Sequence, residues 1–186
     1  MILGVSVILS LLPWFTIPNK TVAFSASSKI VALQSDSGNY LGRCNDCVPG
    51  GSFPDSAFVH VPADDLDDSP WARFAMKKLP NGKYAFQSDS GKYLGRCNQC
   101  VPSASNSDSA FVHVLQKDLM KSPFAQFDVK KLSNGNYVLR ADNGKYLSRC
   151  NDCVPGASNP DSAFMQSPKG SFAKSPWLQW KITTLP

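Results

Sequence analysis

The chain has 186 residues, of which 42% are hydrophobic and 11% aromatic, enough for one well-filled core but too few for two ordinary domains. This composition is typical of a globular protein and excludes disorder of the whole chain. The net charge of +5 comes from scattered lysines that form no basic stripe, so we expect no nucleic-acid partner.

The first predicted element is the apolar run MILGVSVILSLLPWF, followed by Pro18 and the small residues Ala23 and Ser25. This order is typical of a secretory signal peptide, and it predicts cleavage after about Ser25, so that 1–25 are removed. The run has no basic residue before Lys20, which leaves a first strand or a wrongly assigned start codon as the alternative. It is shorter than the roughly 18 apolar residues of a membrane span. We therefore expect a secreted protein that has no stable membrane insertion once the signal is removed.

Beyond this segment the sequence repeats three times with a period of 53 residues. The stretches GRCNDCVPG, GRCNQCVPS and SRCNDCVPG begin at positions 42, 95 and 148, and no insertion or deletion separates them. Counting back from Pro186 gives unit 1 (28–80), unit 2 (81–133) and unit 3 (134–186). Unit 1 begins just after the predicted cleavage site, so the two interpretations agree.

Each unit has the pattern of four short strands separated by turns. In unit 2, KYAFQSD and KYLGRC flank the turn SDSG, SAFVHVL follows a polar loop, and FAQFDVKKL closes the unit. Asp or Asn before Gly, as in SDSG, ADNG, LPNG and LSNG, supplies the positive φ that a hairpin turn needs. Three such units predict about twelve strands, and three units are too few for a propeller.

Two parts of the repeat carry a family resemblance. The hairpin NGNYVLRADNGKYLSR of unit 3 resembles the opening of a β-trefoil repeat, of the fascin-like and agglutinin types, and WARFAM, FAQFDV and WLQWKI resemble the aromatic fourth strand of ricin-type repeats. The resemblance covers 28–186 and implies an all-β β-trefoil of three four-stranded repeats with pseudo-threefold symmetry. In such a barrel the last strand, ending at Ile182, is expected to pair with the first. It selects no function, because trefoils serve as lectins, inhibitors, growth factors and actin bundlers. No specific family is identified.

The six cysteines form one C-x-x-C pair in each unit. Threefold symmetry leaves two arrangements: a ring of bonds between units, or one bond within each loop. The ring requires the three loops to meet near the axis, with Cα atoms within about 4.4–6.8 Å of each other. Because strand connections of a trefoil mostly point outward, we expect bonds within the loops that fix loop shape rather than hold the barrel. The expected pairs are Cys44–Cys47, Cys97–Cys100 and Cys150–Cys153.

Other roles for the cysteines are less favoured. A structural zinc ion takes four ligands, whereas three equivalent pairs offer six thiolates, and unit 3 has Gln166 where the other units have His60 and His113. Thioredoxin-like chemistry needs a helix after the pair, and VPG or VPS follows here. Reduced thiols in a cytosolic protein remain the other alternative. We expect no metal and no cofactor.

The sequence offers little for catalysis. Its two histidines lie in equivalent FVHV strands, and no Ser-His-Asp order, paired-carboxylate motif or phosphate-binding glycine loop is present. We therefore expect a protein that is not an enzyme.

The candidate ligand-binding residues are an Arg, an Asn and an Asp around each cysteine loop. They are Arg43, Asn45, Asp55; Arg96, Asn98, Asp108; and Arg149, Asn151, Asp161. Such side chains suit sugar hydroxyls, and the tyrosines Tyr40, Tyr93 and Tyr146 either offer an aromatic face to the sugar or belong to the core. The Asp residues are equally suited to bracing backbone N–H groups of the loop. The arginines favour binding, since an exposed guanidinium is costly to order without a partner.

These observations favour a secreted, non-catalytic, lectin-like trefoil with up to three equivalent loop sites for glycans or glycoconjugates. Three weak sites on one rigid body would gain avidity on a glycan-bearing surface. Two alternatives remain: a fascin-like actin- or protein-binding module in the cytoplasm, with reduced cysteines, and a trefoil-type inhibitor of a hydrolase.

Overall fold

The computed structural model describes residues 28–186, and the predicted signal segment lies outside them. The described chain contains twelve strands, four in each unit, as predicted. Unit 1 contains β1 (Lys29–Gln34), β2 (Tyr40–Asn45), β3 (Asp55–Val61) and β4 (Phe74–Lys78). Unit 2 contains β5 (Tyr84–Gln87), β6 (Tyr93–Asn98), β7 (Asp108–Val114) and β8 (Asp128–Lys131). Unit 3 contains β9 (Tyr137–Arg140), β10 (Tyr146–Asn151), β11 (Asp161–Gln166) and β12 (Lys181–Thr184).

Short 3₁₀ helices connect the third strand of each unit to the fourth. They span Ala63–Asp65 and Pro70–Ala72, Gln116–Lys121 and Pro123–Ala125, and Phe172–Lys174 and Pro176–Leu178. A proline begins the second helix of each pair, where its fixed φ fits and its missing N–H is not needed. Within residues 28–186 no helix is long and apolar enough to cross a membrane.

Six strands close a barrel, and three hairpins cap it. The barrel order is β1, β4, β5, β8, β9, β12, and the antiparallel pairing of β12 with β1, predicted from the sequence, completes it. The capping hairpins are β2–β3, β6–β7 and β10–β11. Their second strands, β3, β7 and β11, pair with one another, so the three hairpins meet around the pseudo-threefold axis. The predicted all-β architecture with threefold symmetry is confirmed.

The barrel core is built in layers of three equivalent side chains. The fourth strand or the residue before it supplies Phe74, Phe127 and Trp180, all fully buried. The indole of Trp180 also donates from Nε1 to the carbonyl oxygen of Leu147 at 2.9 Å, so its polar atom is satisfied inside the core. Each such side chain stabilises the fold by about 1.5–3 kcal/mol through removal from water.

A second apolar cluster lies under the cap, where the three cysteine loops converge. It contains the six cysteines together with Val48, Val101, Val154, Phe58, Phe111 and Phe164. The loops are joined in a cycle, because the backbone N–H of Ser52 donates to the carbonyl of Cys100 at 3.0 Å, that of Ser105 to Cys153 at 3.3 Å, and that of Ser158 to Cys47 at 3.4 Å. The expectation that these loops point outward is therefore wrong: no single loop can bury its own cysteines and valine, whereas three loops together can.

Unit 3 has Ser148 where units 1 and 2 have Gly42 and Gly95, and the structure shows a second difference beside it. A Cβ added to Gly42 would lie only 2.9 Å from Cε1 of His60, so this histidine excludes a side chain there. In unit 3 the histidine is Gln166, whose Nε2 turns toward the sulfur of Cys150 at 3.1 Å. The hydroxyl of Ser148 then donates to the carbonyl of Phe164 at 2.8 Å. The two positions have changed together because they share one space.

We predict that Gly42→Ser destabilises the protein by about 1–3 kcal/mol, since it overpacks the space beside His60. Adding His60→Gln should recover at least half of that loss, because the two substitutions reproduce Ser148 and Gln166 of unit 3. Unit 3 has Trp177 where unit 1 has Trp71, so the neighbouring tryptophan is the same in both units. Urea denaturation of both variants and of His60→Gln alone measures the coupling. A double variant no more stable than Gly42→Ser would contradict this explanation.

Candidate functional site

The predicted ligand-binding residues of unit 1 lie together on the β2–β3 hairpin. Asn45 is paired with Asp55 across the hairpin, and Arg43 is two residues away on the same strand. The guanidinium Nη1 of Arg43 donates to Oδ1 of Asp55 at 2.9 Å, and the amide of Asn45 donates to the same oxygen at 3.2 Å. Asp55 is buried, so its carboxylate braces the hairpin from inside.

Each arginine also binds the next unit. Nε and Nη2 of Arg43 donate to the two carboxylate oxygens of Asp89 at 2.8 and 2.7 Å, a bidentate pair with the turn between β5 and β6. Lys92, three residues after Asp89, places its ammonium 3.1 Å from the second oxygen of Asp55. The arginine is therefore ordered by partners inside the protein, and the premise that it needs an external one is wrong.

The same contacts recur and close a ring around the axis. Arg96 binds Asp108 and Asp142, and Arg149 binds Asp161 and, across the start of the repeat, Asp36. We call these contacts the arginine ring, which comprises Arg43, Arg96, Arg149, Asp55, Asp108, Asp161, Asp36, Asp89 and Asp142. The last three aspartates belong to the SDSG and ADNG turns, for which the sequence pattern predicts only a turn-forming role. Direct ligand contact by the nine candidate residues stays a prediction.

The ring is not equivalent in its three parts. Lys92 and Lys145 pair with Asp55 and Asp108, whereas unit 1 has Asn39 at the matching position, so Asp161 has no lysine partner among residues 28–186. Its side chain is correspondingly more exposed, at 14% against 8% for Asp55 and 7% for Asp108.

The ring shifts several pKa values. Hydrogen bonds from Arg43 and Arg96 lower the pKa of Asp89 and of Asp142. Burial raises the pKa of Asp55, but hydrogen bonds from Lys92, Arg43 and Asn45 outweigh that effect and the pKa is lowered. The two histidines, His60 and His113, have lowered pKa values because burial disfavours their charged form. The carboxylates of Asp55, Asp89 and Asp142 are therefore ionised at neutral pH.

The three tyrosines that could have faced a sugar are used by the fold. Tyr40 and Tyr93 are buried, and the hydroxyl of Tyr93 donates to Gln116. Tyr146 is half-buried and packs edge-on against Phe172 with ring centroids 5.0 Å apart. Of the two roles left open by the sequence, these contacts correspond to the core.

The cysteines are paired within each loop. Cys44 is bonded to Cys47, and the same holds in the other units, with Cα atoms 5.7 Å apart in all three pairs. Among residues 28–186, no cluster of three or more His, Cys, Asp or Glu side chains is arranged to hold a metal ion.

An open cleft of about 550 Å³ lies beside the arginine ring in unit 3. We call it the unit 3 cleft, and its walls include Asn106, Arg149, Asn151, Gln166, Lys169 and Trp177. Trp177 is half-buried, and the ammonium of Lys169 lies 5.5 Å from the centroid of its ring. Arg149 and Asn151 were predicted as ligand residues; the others were not.

In unit 2 the corresponding space is filled by aromatic rings. Phe53 takes the position of Asn106 and lies 4.6 Å from the ring of His113, which stacks on Phe124 at 5.6 Å. In unit 1 His60 lies against the Gly42 backbone near Trp71. The cleft is open in unit 3 because Gln166 replaces the histidine and Asn106 replaces the phenylalanine. The sequence signal that accompanies it is the set of departures from the repeat at these positions, but that signal alone does not show that a space is left open.

Comparison with known proteins supports the fold alone. No protein-family model matches the chain, and no curated protein matches it. Among solved structures, a designed threefold-symmetric protein, ThreeFoil, is similar with TM-score 0.60 and 19% identity over 84% of this chain and 99% of that one. The SDF2-like protein of Arabidopsis thaliana is similar with TM-score 0.62 and 11% identity over 87% and 97%. The fold is a β-trefoil.

In a third similar structure the matched region is only part of a larger protein. It is an exo-β-1,3-galactanase from Clostridium thermocellum, with TM-score 0.58 and 11% identity over 87% of this chain and 30% of that one. At these identities the similarity to the three structures establishes the fold and does not indicate the function of this chain.

We predict that the arginine ring makes stability sensitive to acid. The folded pKa values of Asp89 and Asp142 are depressed, so their contribution is complete above the unfolded value of about 3.9 and is lost as the pH falls through the lower folded values. The unfolding free energy should therefore decline below about pH 4, and decline less steeply in Asp89→Asn. Urea denaturation across this range measures both slopes. Asp64→Asn, an exposed carboxylate outside the ring, is the control, and equal slopes for Asp89→Asn and the parent protein would count against the ring.

Proposed function

We propose that this protein is a secreted, non-catalytic, lectin-like β-trefoil that binds carbohydrate in the unit 3 cleft. The observation that carries the proposal is an open cleft in which a half-buried indole stands beside amide and cationic donors. Sugars combine an apolar ring face with directional hydroxyl groups, and small-ligand sites commonly join an aromatic surface to a few polar groups in this way.

The polar groups of the cleft are available to a ligand. The amide of Gln166 donates to the sulfur of Cys150 at 3.1 Å, and that of Asn106 lies 3.5 Å from the same sulfur. Sulfur is a weak acceptor, so exchanging it for a sugar hydroxyl costs these amides little. The guanidinium of Arg149 is held in a fixed orientation by Asp36 and Asp161, which lets it act as a preorganised donor at the edge of the cleft.

The proposal narrows the predicted three equivalent sites to one. The loops themselves are equivalent, but the spaces beside them are not, because Phe53, His113 and Phe124 fill the one in unit 2. A fold shared with a galactanase is compatible with carbohydrate binding, although the name of that enzyme describes the enzyme alone.

We predict that a glycan array probed with the folded protein gives specific binding, and that Trp177→Ala weakens it roughly tenfold, the equivalent of about 1.4 kcal/mol of lost aromatic contact. Asn106→Ala should also weaken binding. Asn159→Ala is the matched control, since Asn159 lies beside Cys44 of unit 1 as Asn106 lies beside Cys150 of unit 3, and this variant should bind normally. No signal above background from a protein shown to be folded would overturn the proposal.

Secretion makes a separate prediction about mass. The protein purified from the medium of an expressing cell should lack about the first 25 residues. It should also be lighter than its reduced form by six hydrogens, one for each cysteine, because three disulfides are formed. Intact mass spectrometry before and after reduction measures both. A retained N-terminus together with free thiols would contradict secretion and favour the cytoplasmic protein-binding alternative.

A further inference from the structure

We propose that the unit 3 cleft selects acidic saccharides, that is, sugars bearing a carboxylate or a sulfate group. This inference rests on the proposed function. The residues that line the cleft include Lys145, Arg149 and Lys169. No Asp or Glu of residues 28–186 lines it. A wall of this kind raises the local concentration of anions.

One of these three positive charges has no carboxylate partner. Lys145 is 2.8 Å from Asp108, and Arg149 is bound by two aspartates of the arginine ring. Lys169 makes no salt bridge with any residue of 28–186, and its ammonium rests over the indole of Trp177 instead. The cleft therefore carries a net unpaired positive charge where its aromatic wall stands.

The backbone holds this lysine in place. Its N–H donates to the hydroxyl of Ser175 at 2.8 Å, and the next residue, Gly170, turns the chain with φ of +80°. A contact with the face of an aromatic ring is weaker than a hydrogen bond to an anion, so a carboxylate or sulfate can take over the ammonium with a net gain. The uncharged part of the sugar would meet Trp177 and the amides of Asn106 and Gln166.

The cation and the open space occur together only in unit 3 among the three equivalent positions. Where unit 3 has Lys169, unit 1 has Ala63 and unit 2 has Gln116. Where unit 3 has Gln166, both other units have a histidine. The space beside unit 1 nevertheless has a tryptophan and an asparagine at the remaining two positions, Trp71 of unit 1 and Asn159 of unit 3, which makes it a recipient for a graft.

The test compares saccharides that share one backbone and differ only in charge. Oligomers of galactose and galacturonic acid, and a neutral oligosaccharide with and without sulfate, are titrated into the full secreted protein by calorimetry. We expect an acidic member to bind at least tenfold more tightly than its neutral counterpart at low salt, and the difference to shrink as salt screens the charge. The carboxylate and sulfate series then show which anion is preferred.

Substitutions assign that preference to one residue. Lys169→Ala should remove the preference for the acidic member and leave affinity for the neutral member within about twofold. Lys174→Ala is the matched control, because Lys174 is an exposed lysine of the adjacent 3₁₀ helix that does not line the cleft. It should leave both affinities unchanged.

A gain of function provides a second route. His60→Gln with Ala63→Lys gives unit 1 the two residues that distinguish the cleft, and the expected stoichiometry for the acidic saccharide rises from one to two. Ala63→Lys alone, with the histidine still in place, is its control and should stay at one.

The possible failures are distinguishable. If no saccharide binds the folded protein, the proposed function itself is overturned. Equal affinities for acidic and neutral members would leave carbohydrate binding intact and overturn the acidic selectivity. A preference for the acidic member that survives Lys169→Ala would also overturn the selectivity, because the preference would not depend on this lysine. Polyaspartate binding as tightly as the acidic saccharide would overturn it too, because negative charge alone would then explain the result.

Discussion

The cap of the barrel depends on burying apolar side chains that no single unit can remove from water. Phe58, Phe111 and Phe164 are fully buried there beneath the cysteine loops, and each contributes about 1.5–3 kcal/mol. The arginine ring surrounds the same axis, but partly exposed ion pairs are worth only about 0–1 kcal/mol each. Burial therefore holds the three hairpins together, and the ion pairs have a different effect. Their bidentate geometry sets which turn lies against which hairpin.

Much of this arrangement follows from the sequence. A period of 53 residues without insertions, together with the turns SDSG, ADNG, LPNG and LSNG and the resemblance to trefoil repeats, was sufficient to predict twelve strands and the pairing of the last strand with the first. These features are local or are fixed by repetition.

The parts that could not be predicted depend on contacts between units. Arg43 and Asp89 are 46 residues apart, and nothing in the turn SDSG distinguishes an aspartate that forms a turn from one that also binds an arginine. The direction of the cysteine loops was predicted wrongly for a similar reason, since a C-x-x-C pair carries no sign of the neighbours that cover it. The unit 3 cleft is harder still: it exists because Phe53 and His113 have no counterparts there, and a gap is visible only after packing is known.

The residues that stabilise the fold and those of the proposed binding cleft are consequently different. The buried layers and the arginine ring come from positions that are the same or similar in all three units. The cleft comes from positions at which the units differ: Gln166 and Lys169 of unit 3, and Asn106 of unit 2, which stands where unit 1 has Phe53. A chain built from three copies of unit 2 would keep the aromatic layers, the disulfide loops and every arginine–aspartate contact. It would also keep His113 stacked on Phe124 in every unit and would have neither Gln166 nor Lys169, so it would fold without the residues that characterise this cleft. In this β-trefoil the positions that repeat in all three units form the barrel and its cap, and the positions that differ between units form the unit 3 cleft.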